Sequence, residues 1–329
     1  MANERLENLR GRLTSSLEAR IRDAIATGAA PRALLTAFSA GAMKQLTEGS
    51  APLESFTEVA ALEAIVQRFG RPPLLVRNKS VVIEPLDDLP AGTDALIKNM
   101  EYLVDSVGRV EFVNSSMDWG GTGWIVDIRG DKAMVVTNRH VAQAVARRRS
   151  DGTGVFMRAT NGARYGANID FAEEVDSVIG SKTDTTSVLD VVYLADDVEA
   201  DVALLAVTAD GIRGRRPIQL DEGGCKKGDV VALIGYPAFD SRNDSNDQAR
   251  YFRDLYEVKR FAPGLIVGPG DGATLTHDCT SLGGNSGSPL IHIESGLAVG
   301  LHFSGEYGIE NTAVTAKTLS KLLKGERPV

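Results

Sequence analysis

Gly283-Gly284-Asn285-Ser286-Gly287-Ser288-Pro289 decides how this chain is read: small residues crowd one serine, just ahead of an apolar run over Ser288 to Ile293. A nucleophilic serine needs an exposed oxygen on a tight turn. The backbone N–H groups of Gly284 and Ser286 could converge there on the oxygen that becomes negative in a tetrahedral intermediate. Glycine tolerates the dihedrals that such a turn demands. Read alone, the heptapeptide is a flexible Gly/Ser loop as readily as a site, so partners must be found elsewhere.

A base is offered by Val136-Thr137-Asn138-Arg139-His140-Val141, where an apolar strand ends and a short helix begins. Strand residues on one side and Val141, Ala142 and Val145 on the other would hold the imidazole rigidly, as general-base work requires. The plain alternative is a half-buried structural histidine, the usual fate of a lone one; His277, His292 and His302 are read that way first. For a carboxylate to orient the imidazole, Asp201 fits best. It opens the apolar strand Asp201-Val202-Ala203-Leu204-Leu205-Ala206-Val207, whereas Asp196 and Asp197 lie in an acidic loop. An aspartate at the start of a strand is otherwise unremarkable.

Around these residues the chain changes texture once. Leu6, Leu9, Leu13, Leu17, Ile21 and Ile25 mark a helix over 4–27, a second follows Pro31, and a third runs from Leu53 to Gly70. After Arg71-Pro72-Pro73 come an extended piece, Leu74 to Glu84, and a fourth helix from Thr93 through Val104. From about residue 108 short apolar runs alternate with Gly, Asp and Asn, which are strand signals. They include 109–113, 123–128, 133–137, 188–194, 202–207, 230–234, 288–293 and 297–303, with one helix over Val141 to Arg149 and another over Lys317 to Lys324. The expected class is mainly β, a barrel or sandwich preceded by an N-terminal helical region: 1–104 and 105–329.

Taken in order, Gly121-Thr122-Gly123-Trp124, Thr137-Asn138-Arg139-His140-Val141, Asp201-Val202-Ala203-Leu204-Leu205 and Gly284-Asn285-Ser286-Gly287-Ser288-Pro289 resemble the chymotrypsin-fold serine peptidases, over roughly residues 108 to 325. They are similar to the bacterial trypsin-like branch, the Deg/HtrA and V8-type groups. The resemblance implies a chymotrypsin-like double β-barrel with the site in the cleft between barrels. It assigns His140 as general base, Asp201 as its orienter, Ser286 as nucleophile, and the Gly284 and Ser286 amides as oxyanion hole. Asn285 stands where digestive trypsins carry an Asp that pairs with a newly cut amino terminus, so that activation route is absent. The same resemblance places His302, Phe303, Ser304 and Gly305 on the strand that pairs with substrate and walls the S1 pocket, opposite Thr280 and Ser281. No Asp is present there, and His302 with the two hydroxyls resembles the pocket of V8-type glutamyl endopeptidases, which implies cleavage after acidic residues. His302 is equally a packing residue.

Composition narrows the partners. With 36 basic against 44 acidic residues in 329, the net charge of -8 opposes a phosphate-neutralising surface, so nucleic acid is not an expected partner. No stretch reaches the roughly 18 apolar residues of a membrane span, and Glu4 and Glu7 occupy the place of a signal peptide's apolar run. A cytoplasmic location is expected, in agreement with two cysteines, Cys225 and Cys279, that make no disulfide framework. Neither a metal site nor a cofactor is indicated: no Cys or His pair has zinc spacing. Asp240 to Asp247 lacks the EF-hand glycine and reads as a solvated loop, Gly268 to Gly272 as a turn. The expected partners are a protein or peptide substrate and a regulatory protein docking on the N-terminal helices. Two other readings stay open, a protease-fold binding module without turnover and a regulated peptidase dedicated to one cellular partner.

Overall fold

Apolar runs of four to eight residues separated by glycine and aspartate turns favour antiparallel pairing between near neighbours in sequence. The computed structural model describes residues 71–86, 88–177, 184–241, 245–270, 272–306 and 310–326. Its elements are β1 (Leu74–Arg77), β2 (Ser80–Val81), α1 (Thr93–Asn99), β3 (Val107–Val113), β4 (Trp119–Arg129), β5 (Lys132–Thr137), α2 (Arg139–Gln143), β6 (Ala146–Arg148), β7 (Gly154–Phe156), β8 (Gly166–Asp170), β9 (Thr185–Ser187), β10 (Asp190–Leu194) and β11 (Ala203–Thr208). They continue with β12 (Val230–Gly235), α3 (Ser245–Phe252), β13 (Arg260–Gly268), β14 (Thr274–His277), β15 (Pro289–His292), β16 (Ala298–Glu306), β17 (Glu310–Thr315) and α4 (Ala316–Leu323).

One sheet runs β6-β7-β10-β11-β5-β4-β3-β8-β9 around a core that includes Ile125, Val135, Phe171, Leu194 and Leu205. The other runs β12-β15-β16-β17-β14-β13 and closes on itself through β12–β13, around Val231, Leu233, Leu275, Leu290 and Val299. Pairing of β1 with β13 and of β2 with β1 extends it. This is a mainly β, chymotrypsin-like double barrel. Pro263 sits mid-strand in β13, between the stretch paired with β1 at 260–261 and the stretch paired with β14 at 266–268, where its missing N–H breaks no ladder bond on that side.

The chain divides into two compact units. Both sheets belong to one, with residues 72–84, 94–305 and 310–326. Of the other, the described residues are 71, 85, 86, 88–93 and 306, among which Arg71 Nε meets Asp88 Oδ2 at 2.9 Å. The three helices expected over 4–70 lie outside the described residues.

Three local expectations change. The helix expected over 141–149 stops at Gln143, and Ala146–Arg148 forms edge strand β6 against β7, with Arg148 Nε donating to the Leu194 carbonyl at 2.9 Å. Val141, Ala142, Val145 and Ala146 fit one helical turn followed by extended chain as well as they fit two turns. The oxygen-rich stretch 240–247 runs into helix α3, which buries Gln248 and Phe252. The fourth helix ends at Asn99 and passes into a 3₁₀ segment, Glu101–Ser106.

Residues 72–84 and 94–104 belong to the unit that holds both sheets, and within them Leu74, Val76, Ile97 and Val104 are completely buried. Each such side chain is worth about 1.5–3 kcal/mol, which together rivals the roughly 5–15 kcal/mol that stabilises a typical domain. A chain begun at residue 105 is expected to lose its cooperative thermal transition, while one begun at residue 72 keeps it, as circular dichroism melting will show.

Candidate active site

The register of β11 on β5 sets the first half of the site. Ala203 pairs with Thr137, so Asp201, two residues before Ala203, lies alongside the start of α2. Its carboxylate grips His140 twice: Oδ1 accepts the backbone N–H at 3.1 Å and Oδ2 accepts from Nδ1 at 2.6 Å. The second bond fixes the proton on Nδ1 and leaves Nε2 as the basic nitrogen. Fully buried Asn138 donates from Nδ2 to the Asp201 carbonyl at 2.8 Å, and Arg139 Nε lies 3.8 Å from Asp201 Oδ1. Burial would raise the Asp201 carboxyl, but the bonds from His140, its charge and that of Arg139 outweigh this and hold it below the ordinary range.

The second half is the Ser286 turn. Gly284 and Gly287 have φ of 87° and 89°, a left-handed region that glycine enters freely. A side chain on Gly287 would lie 2.1 Å from the Thr122 carbonyl oxygen, so the close approach also demands glycine. Thr122, on β4 of the other sheet, bonds the turn through its N–H and its hydroxyl and ties it to β5 through its carbonyl. Its N–H donates to the Ser286 carbonyl at 2.8 Å, its hydroxyl donates to the Gly284 carbonyl at 2.9 Å and accepts the Tyr236 N–H at 3.2 Å, and its carbonyl accepts from Thr137 Oγ1 at 2.7 Å. Gly121 measures how close the halves come. A Cβ there would stand 2.8 Å from the Ser286 carbonyl oxygen and 2.7 Å from a methyl of Val141, the residue after His140. Among the described residues, no protein group accepts from the N–H of Gly284 or of Ser286.

Near the expected specificity pocket the structure adds residues that sequence reasoning passed over. His302 pairs its backbone with the serine turn: its N–H donates to the Ser288 carbonyl and its carbonyl accepts from the Gly287 N–H. Its ring Nδ1 lies 3.2 Å from His277 Nε2, both rings buried. His277 Nδ1 accepts the backbone N–H of Cys279 at 3.3 Å, which places the His277 proton on Nε2, directed at His302. His302 must then carry its own proton on Nε2, as a neutral donor. Ser281 donates to Asn311 Oδ1 at 2.7 Å, and Asn311 Nδ2 holds the Cys279 carbonyl at 2.6 Å, so the Ser281 proton is committed within the wall. Thr280 and Phe303 are half-buried; Gly305 lies on β16, and the Ser304 side chain is outside the described set. No sequence signal pointed to His277 or Asn311, which sit on strands too polar to register as apolar runs.

One acidic group, Glu111, Asp170 and Glu173, brings carboxylate oxygens within 4.8 Å of one another. Arg109 supplies its positive charge, at 2.7 Å from Glu111 and 3.2 Å from Glu173, and Asp170 accepts from the Ala172 N–H and the Thr185 hydroxyl.

A closed barrel with a partner sheet, carrying an aspartate-bound histidine just after β5 and a glycine-flanked serine turn just before β15, is a trypsin-like architecture. The chain belongs to the Trypsin-like peptidase domain family, whose model matches residues 121–301. Among solved structures, it is similar to the serine endoprotease from Yersinia pestis, with 16% identity and a TM-score of 0.46 over 72% of this chain and 67% of that one. It is also similar to the inactive form of a serine-to-alanine mutant of Rv3671c from M. tuberculosis H37Rv, with 18% identity and a TM-score of 0.43 over 75% and 100% of the respective chains. No curated protein matches it.

Two stability measurements test this geometry. Thr122→Val leaves the Gly284 carbonyl and the Tyr236 N–H without their partner and is expected to cost about 1–3 kcal/mol in urea unfolding, while Thr122→Ser keeps most of that. The second concerns pH. Burial pushes His277 down to about 4. Burial, then the charges of His277 and His140, hold His302 well below its ordinary value. Unfolded imidazoles titrate near 6.5, so between about pH 6.5 and 4 the unfolded chain binds more protons and stability falls as pH falls. For His277 this amounts to about 2–3 kcal/mol between pH 7 and 4.5, and His277→Asn is expected to show a shallower acid slope in its melting temperature.

Proposed function

We propose that the protein is a serine endopeptidase that works through an acyl-enzyme. The observation that carries this reading is the double grip of Asp201 on His140, set beside a serine turn that Thr122 bonds from the other sheet. In the mechanism, Ser286 Oγ attacks the scissile carbonyl and His140 Nε2 takes its proton. Asp201, already ionised, stabilises the imidazolium without itself being protonated. The negative oxygen forms within reach of the Gly284 and Ser286 amides, which have no described internal acceptor to give up. His140 then protonates the leaving amine, and water repeats the sequence in reverse roles to release the acid. Asn285, 3% exposed, is a neutral amide, so the turn takes its shape from Thr122 and its glycines rather than from an ion pair with a cut amino terminus.

For specificity, we infer that the substrate adds a strand along Phe303–Gly305 of β16 and that its P1 side chain is acidic. Support comes from the relay Cys279 N–H to His277 to His302, which leaves His302 Nε2–H as a donor suited to a carboxylate. A hydrogen bond from this buried donor to a carboxylate is stronger than the same bond made in water.

The test combines a fluorophosphonate probe with a P1 peptide library. Ser286 is expected to be labelled in the wild type and not in Ser286→Ala. Replacing His140 or Ser286 should lower kcat by about four orders of magnitude or more. Absence of Ser286-dependent labelling and turnover would leave the protein a binding module instead. In the library, Glu and Asp at P1 should lead; a ranking no better than Leu or Ala removes the acidic preference while leaving the peptidase reading in place.

A further inference from the structure

An oxyanion hole depends on the direction of a single peptide plane, and here that plane is intrinsically loose. The carbonyl of Gly283 and the N–H of Gly284 belong to one planar trans unit, pointing opposite ways. The two torsions that would flip it, one on each side, are both on glycines. Flipped, the unit would present a carbonyl oxygen where the reaction needs a donor.

The structure holds this plane from outside the turn. The backbone N–H of Ala238 donates to the Gly283 carbonyl at 2.6 Å, which turns the Gly284 N–H the other way. Ala238 belongs to the loop that leaves β12 and returns to β13 through α3. That loop has its own internal clasp: Gln248, on α3 and 2% exposed, accepts the Asp240 N–H at 2.9 Å and donates to the Asp240 carbonyl at 2.8 Å. The Glu257 N–H closes the loop on the Pro237 carbonyl at 2.8 Å. Helix α3 is itself fastened at its far end, where buried Arg260 donates to the Phe252 carbonyl at 2.7 Å. The facing side of Gly284 is covered, since a Cβ there would lie 2.5 Å from the Trp119 indole and 2.3 Å from the Tyr236 carbonyl oxygen.

We propose that Gln248 is a positioning residue for the oxyanion hole: by clasping Asp240 it keeps the Ala238 N–H on the Gly283 carbonyl, and so keeps the Gly284 N–H aimed at the reacting oxygen. This rests on the serine-peptidase reading above and assigns a task to α3, a helix that carries none of the proposed catalytic residues. A peptide that flips part of the time leaves substrate binding intact and weakens only the interaction made in the transition state.

The full-length protein is assayed with a fluorogenic peptide as wild type, Gln248→Ala, Ala238→Pro and Ala238→Gly. Gln248→Ala is expected to lower kcat by about 10- to 100-fold, short of the roughly 10²–10³ for complete loss of a hole donor. KM should stay within threefold and the acid limb of the pH profile unmoved. Affinity for a peptide aldehyde, whose adduct places an oxyanion in the hole, should fall in step with kcat, while affinity for the cleaved product peptide holds. Should Gln248→Ala melt below the assay temperature, Ala238→Pro reads the same bond directly: it lacks the donating N–H and loses kcat, whereas Ala238→Gly keeps both. Wild-type kcat in folded Gln248→Ala or Ala238→Pro, or a loss carried wholly by KM, overturns the proposal. A wild type that neither turns over nor labels at Ser286 overturns the peptidase reading and this inference with it.

Discussion

Thr122 is where the two sheets become one site. A residue in mid-strand ordinarily spends its backbone groups on its neighbours and its side chain on solvent or core. Thr122 is completely buried and spends its N–H, its hydroxyl and its carbonyl on fixing the Ser286 turn against the strand that leads to His140. A hydroxyl is needed because it both donates, to Gly284, and accepts, from Tyr236, which neither valine nor an ionised carboxylate can do. Since an unsatisfied buried polar group costs about 1–3 kcal/mol, each partner enforces the position of the others. The consequence is that His140 and Ser286, on different sheets, share a frame.

A second contact between the sheets is ionic and wholly buried. Lys259, just ahead of β13, sends its ammonium to the carbonyls of Val104 and Phe171 at 2.9 and 3.0 Å, with Glu174 at 3.7 Å. Burial pushes its pKa down to about 8, against the pull of Glu174 and Asp105. Burying such a charge is justified energetically only if its protons are satisfied, as carbonyls and carboxylate do here. It is a costly link to misplace, so it specifies the relation between the sheets more than it stabilises them. Tyr236 makes the same argument from the neighbouring strand, its hydroxyl lying between the carbonyls of Val107 and Asp170.

The legible parts of the sequence were those where chemistry and pattern coincide. The glycines around Ser286, the strand that ends at Thr137 just before His140 and the strand that begins at Ala203 just after Asp201 could all be placed to within two residues, because glycine content and apolar runs report on backbone demands and burial directly. What stayed hidden depended on pairing across long separations. β8, β14 and β17 are polar or glycine-rich and earn their strand character from partners rather than from composition. His277 reads as structural and Asn138 draws no reading of its own, because each acts by holding another residue, which no local pattern records. The short reach of α2 was equally invisible: one helical turn and a following edge strand share the same apolar spacing.

The two halves of the site are held by different means, and chemistry explains the difference. A base, the role proposed for His140, must lose and regain a proton without shifting, and His140 sits in the short helix just past β5, gripped at two atoms by the Asp201 carboxylate. The hole proposed at the Gly284 and Ser286 amides would have to bring two backbone donors against one atom, and only a chain with little side-chain bulk can fold that tightly. Gly283, Gly284 and Gly287 give the turn its shape but remove the torsional barriers that would keep it. Rigidity then has to be imported, through Thr122 on the carbonyl of Gly284 and through Ala238 on the carbonyl of Gly283. The loop carrying Ala238 is long enough to need a helix of its own to hold it. A helix of that kind, fastened at Gln248 in its middle and at Phe252 at its far end, gives a glycine-built turn the support that its own residues lack.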